Sequence, residues 1–328
     1  MNKASQNTDD YADTTSVTIG RFSIPREFVW VLLLGLVLVF GLAVASTWHW
    51  AVHKNDPLAF AERSRPLLDG HLPYVDFEFE HLPFAIVPML SAAIIETLIP
   101  IHYTLIFWLL MSGVLFGIGV YLNRIGRQLG VTDAALRWVL ISWALLPLLA
   151  FRVDALSVLL TLVAVSLAMA GEDRKAGWAM AGAIAAKGWP IVLAAVDWWR
   201  GKKRRAIVTV GLTMVLGIGL TMFPLFRSGR SFFGVHIETF TGAFVALFRI
   251  LAGEPTQVDV AAGASYVEVG GWAMALNILI GASLGLYAIR VLRTRFDWRR
   301  AVDLIGVLAI ALMLLSPLLS AQFVIWMT

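Results

Sequence analysis

Thr104-Leu105-Ile106-Phe107-Trp108-Leu109-Leu110-Met111-Ser112-Gly113-Val114-Leu115-Phe116-Gly117-Ile118-Gly119-Val120-Tyr121-Leu122 is a predominantly apolar run with Asn123-Arg124-Ile125-Gly126-Arg127 directly behind it. A helix needs ~20 apolar residues to cross the ~30 Å hydrocarbon core of a bilayer. This run meets that length, and its basic tail marks a cytoplasmic end, because Lys and Arg accumulate on that side. The segment before it, 84–99, is apolar but short, contains Pro88 and Glu96 and is followed by Pro100. If both crossed, Arg124 and Arg127 would lie outside. The arrangement that keeps them inside makes 84–99 a re-entrant or interfacial helix on the outer face.

Composition agrees with a membrane chain. Apolar residues make up 59% of the sequence and charged residues 15%, too few to cover a soluble surface. Further apolar runs occupy 28–48, 206–226 and 272–292. There is no cysteine, which excludes disulfides, thiolate nucleophiles and Cys-based metal sites. Basic residues cluster beside apolar runs, as at Lys202-Lys203-Arg204-Arg205 and from Arg290 to Arg300. That placement reads as membrane orientation and gives no indication of nucleic-acid binding.

Working outward, residues 1–25 are predicted to be a disordered cytoplasmic tail rich in Ser, Thr and Asp. The apolar run that follows starts too late and is too long for a cleaved signal peptide. Residues 26–328 are then one transmembrane domain. Run 28–48 leads to an outer loop, 49–82. Run 134–150 goes out, Phe151-Arg152-Val153-Asp154 turns outside, and 155–170 returns. Residues 176–199 have basic flanks at both ends, yet two helical crossings do not fit in so short a stretch. The expected solution is a re-entrant hairpin broken at Lys187-Gly188-Trp189-Pro190, since Gly and Pro break helices. Run 206–226 leads to a second outer loop, 227–271. Runs 272–292 and 301–319 follow, and Phe323-Val324-Ile325-Trp326-Met327-Thr328 reads as the start of another apolar segment. Additional helices are therefore expected beyond Thr328.

In this topology the chemistry-bearing residues gather on the outer side. Charges at a membrane edge are costly and mark functional positions. In the first loop, Leu58, Ala61, Arg65 and Leu68 have amphipathic spacing. Asp56 stands where an N-cap belongs, ahead of Pro57. It is either that cap or a general base. Asp69-Gly70 reads as a turn, and 74–80 alternates acidic with apolar residues, offering Asp76 and Glu80 beside His81. Arg152 and Asp154 are a structural ion pair or the lining of a polar cavity. Lys187 in an apolar hairpin needs an anion, either a lipid phosphate or an internal carboxylate. Arg227, Arg230, His236, Glu238 and Arg249 form either a solvated stripe or phosphate contacts. His49 and His53 share a helix face, but no third metal ligand accompanies them.

Four segments in this order resemble the GT-C superfamily. More narrowly they resemble glycosyltransferase family 87, whose members use polyprenol-phosphate-mannose. They are Asp56 with the run Leu67 to Phe84; Phe151-Arg152-Val153-Asp154-Ala155-Leu156; Ala176-Gly177 through Lys187-Gly188-Trp189-Pro190; and Leu315-Ser316-Pro317 through Gln322 to Trp326. Family members often end the first run in Glu-Tyr-Pro-Pro, where this chain has Glu80-His81-Leu82-Pro83. The resemblance spans most of 50–328. It implies an all-α, polytopic integral membrane protein: a GT-C-like helical bundle with a re-entrant hairpin and an outer loop carrying amphipathic helices.

It also implies an inverting transferase in the plasma membrane, with its active site on the outer, periplasmic side. The enzyme would move a sugar, mannose by analogy, from a polyprenyl-phosphate-sugar donor to a lipid or glycan acceptor, without metal or cofactor. Asp56 would be the catalytic base and Asp76 the second choice. Lys187, Arg152, Asp154, Glu80, His81, Arg227, Arg230 and His236 would contact the substrates. The main alternative is a lipid or sugar transporter or flippase, since transporters also use broken helices. Against it stand the absence of an inverted repeat and the gathering of polar residues on one side.

Overall fold

The computed structural model describes residues 16–19, 22–25, 51–73, 75–77, 79, 81–131, 136–139, 152–191, 201–213, 235–236, 247–253, 258–261 and 264–267, with single positions elsewhere up to Arg290. The expected spans 28–48, 272–292 and 301–319 fall largely or wholly outside the described residues, as do most of the expected spans 134–150 and 206–226.

The packed part is helical. Helix α1 is Ala51–Leu68; a 3-10 turn, Pro83–Ala85, leads into α2, Ile86–Leu98; α3 is Tyr103–Gln128, α4 Asp154–Met169, α5 Asp173–Ala186 and α6 Lys203–Thr213. Short strands also occur. β1, Ser16–Ile19, pairs antiparallel with β2, Phe22–Pro25. β3, Val235–His236, and β4, Val258–Ala261, flank β5, Ala264–Val267. The first pair lies within the segment 1–25 expected to be a disordered tail, and its Val17, Ile19, Phe22 and Ile24 favour strands.

Helices α2 and α3 form a tight hairpin. Glu96 Oε1 accepts from Tyr103 N–H at 2.8 Å, and His102 Nδ1 accepts from Thr104 N–H at 3.2 Å. Two of the N–H groups that a helix start leaves without backbone partners are thereby satisfied. A carboxylate there also complements the helix dipole. The Glu96 that sequence reading assigned to a membrane interface is thus a tie between helices. Helix α2 has 13 residues, ~20 Å at the helical rise, too short to cross a bilayer alone. Helix α3 has 26 residues, running past the expected boundary at Leu122 to Gln128. Among the described residues it is the one helix long and apolar enough to cross a membrane.

Leu105, Leu109, Gly113, Phe116 and Val120, spaced three to four apart, stay exposed along one stripe of α3, with Arg124 and Arg127 beyond them. The opposite face, Phe107, Met111, Leu115 and Ile118, is fully buried with Met89 of α2 and Phe60 of α1. Trp138 Nε1 donates to Leu115 O at 3.2 Å, closing this core.

Helices α4 and α5 form a second hairpin. Gly171, at φ 80°, sits between them. Glu172 N–H reaches Leu167 O and Gly171 N–H reaches Ala168 O, the paired bonds of a glycine-terminated helix end. Helix α5 buries Ala176, Gly177, Ala181, Gly182, Ala183, Ala185 and Ala186. Small residues let helices approach closely. A methyl group on Gly177 would lie 3.1 Å from Arg205 O and from Val208 Cβ of α6.

Helix α5 ends at Ala186. Lys187 is extended, at φ −155° and ψ 130°, and 188–190 are irregular. The helix break expected at 187–190 is present. The chain then turns back. Leu193 packs with Met180, Ile184 and Ala164, and Asp197 meets Arg205, which also bonds Asp173 at the start of α5 at 3.1 Å. Both ends of the 173–197 segment therefore meet at one guanidinium, while Lys187 lies at the far tip, ~21 Å away by the length of α5.

Candidate functional site

Two of the site candidates, Asp154 and Lys187, meet at the end of the α4–α5 hairpin. Asp154 opens α4 and is 2% exposed. Lys187 Nζ lies 3.0 Å from Asp154 Oδ1, and the lysine side chain keeps 24% exposure. Of the two readings open for Lys187, the internal carboxylate is the one seen. Asp154 thus pairs with Lys187, not with Arg152. Two candidates that lay 33 positions apart in sequence, Asp154 and Lys187, form one buried-to-surface pair. The Asp154 carboxylate also occupies the positive end of the α4 dipole, which favours its charge.

The loop from α1 closes over this pair. Leu82 is extended ahead of Pro83, as the residue before a proline prefers. The Phe84 ring then rests against α5, where a methyl group on Gly182 would lie 3.4 Å from it. This anchors His81 above the tip. Its ring meets Phe60 edge-on at 5.4 Å between centroids and Phe79 at 5.7 Å. As a residue His81 is half-buried, but its Nε2 is enclosed. Burial holds its pKa well below the usual 6.5, and the charges of Lys187, Arg63 and Arg152 push it in the same direction. The three cations whose charges act on His81 come from different stretches of chain.

Arg63 is the member that sequence reading left out. The available signal was spacing: positions 56, 60 and 63 fall on one stripe of a helix. The structure gives Phe60 as buried and Arg63 as half-buried on that helix. Helix α1 begins at Ala51, so position 56 is inside the helix and does not cap it. This corrects the cap reading. The Asp56 side chain lies outside the described residues, but the register of α1 sets its position one turn from Phe60 and two turns from Arg63. The buried face of α1 is Pro57, Phe60, Ala61 and Ser64. Leu58, Arg65 and Leu68 are exposed, so the amphipathic stripe is rotated from the one expected.

Asp76 is exposed and accepts from Leu72 N–H at 2.7 Å, with His71 Nδ1 at 3.9 Å. It closes a local turn and stands apart from the cluster by its contacts. Gly70, at φ 85°, ends α1, consistent with the turn expected at Asp69-Gly70. Glu80, Arg227 and Arg230 lie outside the described residues, as does the side chain of His236, whose backbone belongs to β3. The basic run at 202–205 divides. Arg204 is exposed, whereas Arg205 is 2% exposed and clamps Asp173 and Asp197.

The Lys187–Asp154 pair and the positive charges of Lys187, Arg63 and Arg152 that act on His81 make this end of the hairpin cationic. It is suited to holding an anion of phosphate size, with guanidinium groups for bidentate contact. Among the described residues, no group of three His, Asp or Glu side chains is placed to hold a metal ion. No protein-family model, curated protein or solved structure matches the chain.

Proposed function

We propose that this protein is an inverting membrane glycosyltransferase. It transfers a sugar from a polyprenyl-phosphate-sugar to a lipid or glycan acceptor at the outer face of the plasma membrane. The observation that supports the reading is the Lys187–Asp154 pair at the helix break after α5, with the charges of Lys187, Arg63 and Arg152 all acting on His81.

The chemistry asks for two things in one place. An acceptor hydroxyl attacks the anomeric carbon and loses its proton to a carboxylate, for which Asp56 is assigned. The bond between that carbon and the phosphate oxygen breaks, and the electron pair leaves with the lipid phosphate. A phosphodiester monoanion thereby becomes a monoester with more charge, and fixed cations stabilise that change. Lys187, Arg152 and Arg63 supply them. The exposed apolar stripe of α3, bounded by Arg124 and Arg127, supports a bilayer around the bundle.

The test is transfer of labelled sugar from polyprenyl-phosphate-mannose to lipid acceptors in membranes holding the protein. Asp56→Asn should lower turnover by roughly 10²–10⁴-fold, the range for loss of a general base, with donor binding little changed. Because position 56 is interior to α1, loss of a cap does not explain such an effect. A fully active Asp56→Asn protein would rule Asp56 out as the base and move the assignment to Asp76. Donor movement across the bilayer without transfer would instead favour a flippase.

A further inference from the structure

The end of the α4–α5 hairpin opposite Lys187 carries a face that the proposed chemistry does not use. Helices α5 and α6 run parallel there. Arg205 meets Asp173, and one turn on Thr209 Oγ1 donates to Gly177 O at 3.4 Å, with the same sequence offset of 32 at both contacts. In a parallel pair of right-handed helices, the residue after a contact on one helix and the residue before the matching contact on the other turn to the same side. Gly177 packs against Val208, so Trp178 and Ile207 share a face. Arg174, four residues before Trp178, and Arg204, three before Ile207, belong to it as well. The offset sets Arg204 level with position 172, about 3 Å along the axis from Arg174. All four side chains are exposed, Trp178 at 56% and Ile207 at 58%.

The described acids at this end are engaged elsewhere. Arg205, itself 2% exposed, bonds Asp173 and Asp197. Lys202 lies 3.7 Å from Asp173, and Lys175 lies 2.7 Å from Glu172. None of these pairs includes Arg174 or Arg204. We infer that this face holds the headgroup of an anionic phospholipid, with both guanidinium groups on its phosphate, the Trp178 ring at headgroup level and Ile207 against an acyl chain. The inference rests on the membrane reading proposed above, which sets this end at the cytoplasmic leaflet. One occupant meets two demands. Arginine suits phosphate by charge and bidentate geometry. The exposed Trp and Ile beside the arginines favour apolar cover, and tryptophan settles where one side is apolar and the other wet. A soluble anion meets the first demand alone, and an apolar partner helix meets the second alone. A phospholipid brings its phosphate and its hydrocarbon side by side, and basic clusters at the cytoplasmic ends of helices attract anionic headgroups.

The experiment places the chain in nanodiscs of equal phosphatidylglycerol and phosphatidylcholine. Native mass spectrometry then counts the lipids that leave the disc with the protein. Phosphatidylglycerol should be enriched by up to about fivefold per contacting cation, the factor for ~1 kcal/mol per basic residue at an anionic surface. The enrichment should fall several-fold in Arg174→Gln with Arg204→Gln. It should persist in Arg124→Gln with Lys175→Gln, which removes two exposed cations that lie off this face. Equal retention of both lipids by a chain seated in the discs would overturn the inference and leave the membrane reading standing. Enrichment that survives loss of Arg174 and Arg204 would overturn it by assigning the lipid elsewhere. An equal fall in the second pair of variants would overturn it by reducing the effect to overall charge. A chain that stays in solution without lipid or detergent would remove the membrane reading and the inference together. Should the arginine variant not fold, a diazirine-bearing phosphatidylglycerol decides the matter on the unaltered chain. Crosslinks within 174–178 and 204–210 are expected, and crosslinks confined to other segments count against the site.

Discussion

At Lys187 and Asp154 a buried carboxylate depends on one ammonium 3.0 Å away. Replacing Lys187 with Met keeps the apolar stem but leaves the carboxylate in place without that charge. Breaking a pair of this kind costs on the order of 3 kcal/mol. Thermal unfolding in detergent should show the loss. Adding Asp154→Asn should recover much of it, because the stranded charge is gone, while donor affinity stays low. Recovery of donor binding in the double variant would mean that Lys187 serves the fold alone. His81 gives a second prediction at this scale. Its folded pKa lies below the unfolded value of 6.5, so the folded state binds fewer protons. Its stabilising contribution is full above pH 6.5 and is lost as pH falls below it. Acid unfolding should begin at lower pH in His81→Gln than in the unaltered chain. Which of these residues sequence alone could find depended on context. Lys187 stood out because a lysine between Ala186 and Gly188 has no local partner. Arg63 did not, because an arginine in a polar loop looks solvated until its helix is known to start at Ala51.

Among the described elements, the apolar run of α3 and the helix breakers were legible. The breaks at Gly171 and at 187–190 follow from residues whose backbone limits act locally. Long-range ties were not legible. Glu96 serves the N-terminus of α3, and Arg205 serves two aspartates, yet both look like ordinary boundary charges in sequence. Helix α1 was misplaced because Pro57 suggests a first turn, whereas the helix runs through it. The contact of α5 with α6 supplies a test at this scale. Gly177→Leu would push a side chain into Arg205 O and Val208, already 3.1 Å from where its first carbon would stand. Overpacking of that kind costs about 1–3 kcal/mol. A lower melting temperature is expected, with faster proteolysis within 173–197. An unchanged melting temperature would mean that α5 and α6 do not pack this closely.

For the whole molecule, the two ends of the α4–α5 hairpin are chemically unlike. One carries Lys187, Asp154, Arg152 and His81, and the other Asp173, Lys202 and Arg205. Under the proposed membrane reading, the first end would face outward and the second the cytoplasm. The absence of cysteine makes this testable directly. Single cysteines at the exposed positions Arg124, Arg174 and Gly188 should divide by side. Those at 124 and 174 should react with an impermeant thiol reagent only from the cytoplasm, and that at 188 only from outside. Labelling of 124 from outside would reverse the assigned orientation of α3.

The clamp at Arg205 bears on how such a chain is made. Ribosomes deliver the sequence from its N-terminus, so under the proposed membrane reading Asp173 and Asp197 would enter the membrane machinery before the guanidinium that joins them exists. Until residue 205 has emerged, nothing in the clamp holds the two limbs together, and the segment is free to be handled by the translocon as a single crossing. Synthesis of α6 then converts a provisional insertion into the folded-back one. Nascent chains arrested shortly before and shortly after Arg205 emerges should therefore differ in which side of the membrane a tag at position 188 can be reached from. The later step should fail in chains carrying Arg205→Leu.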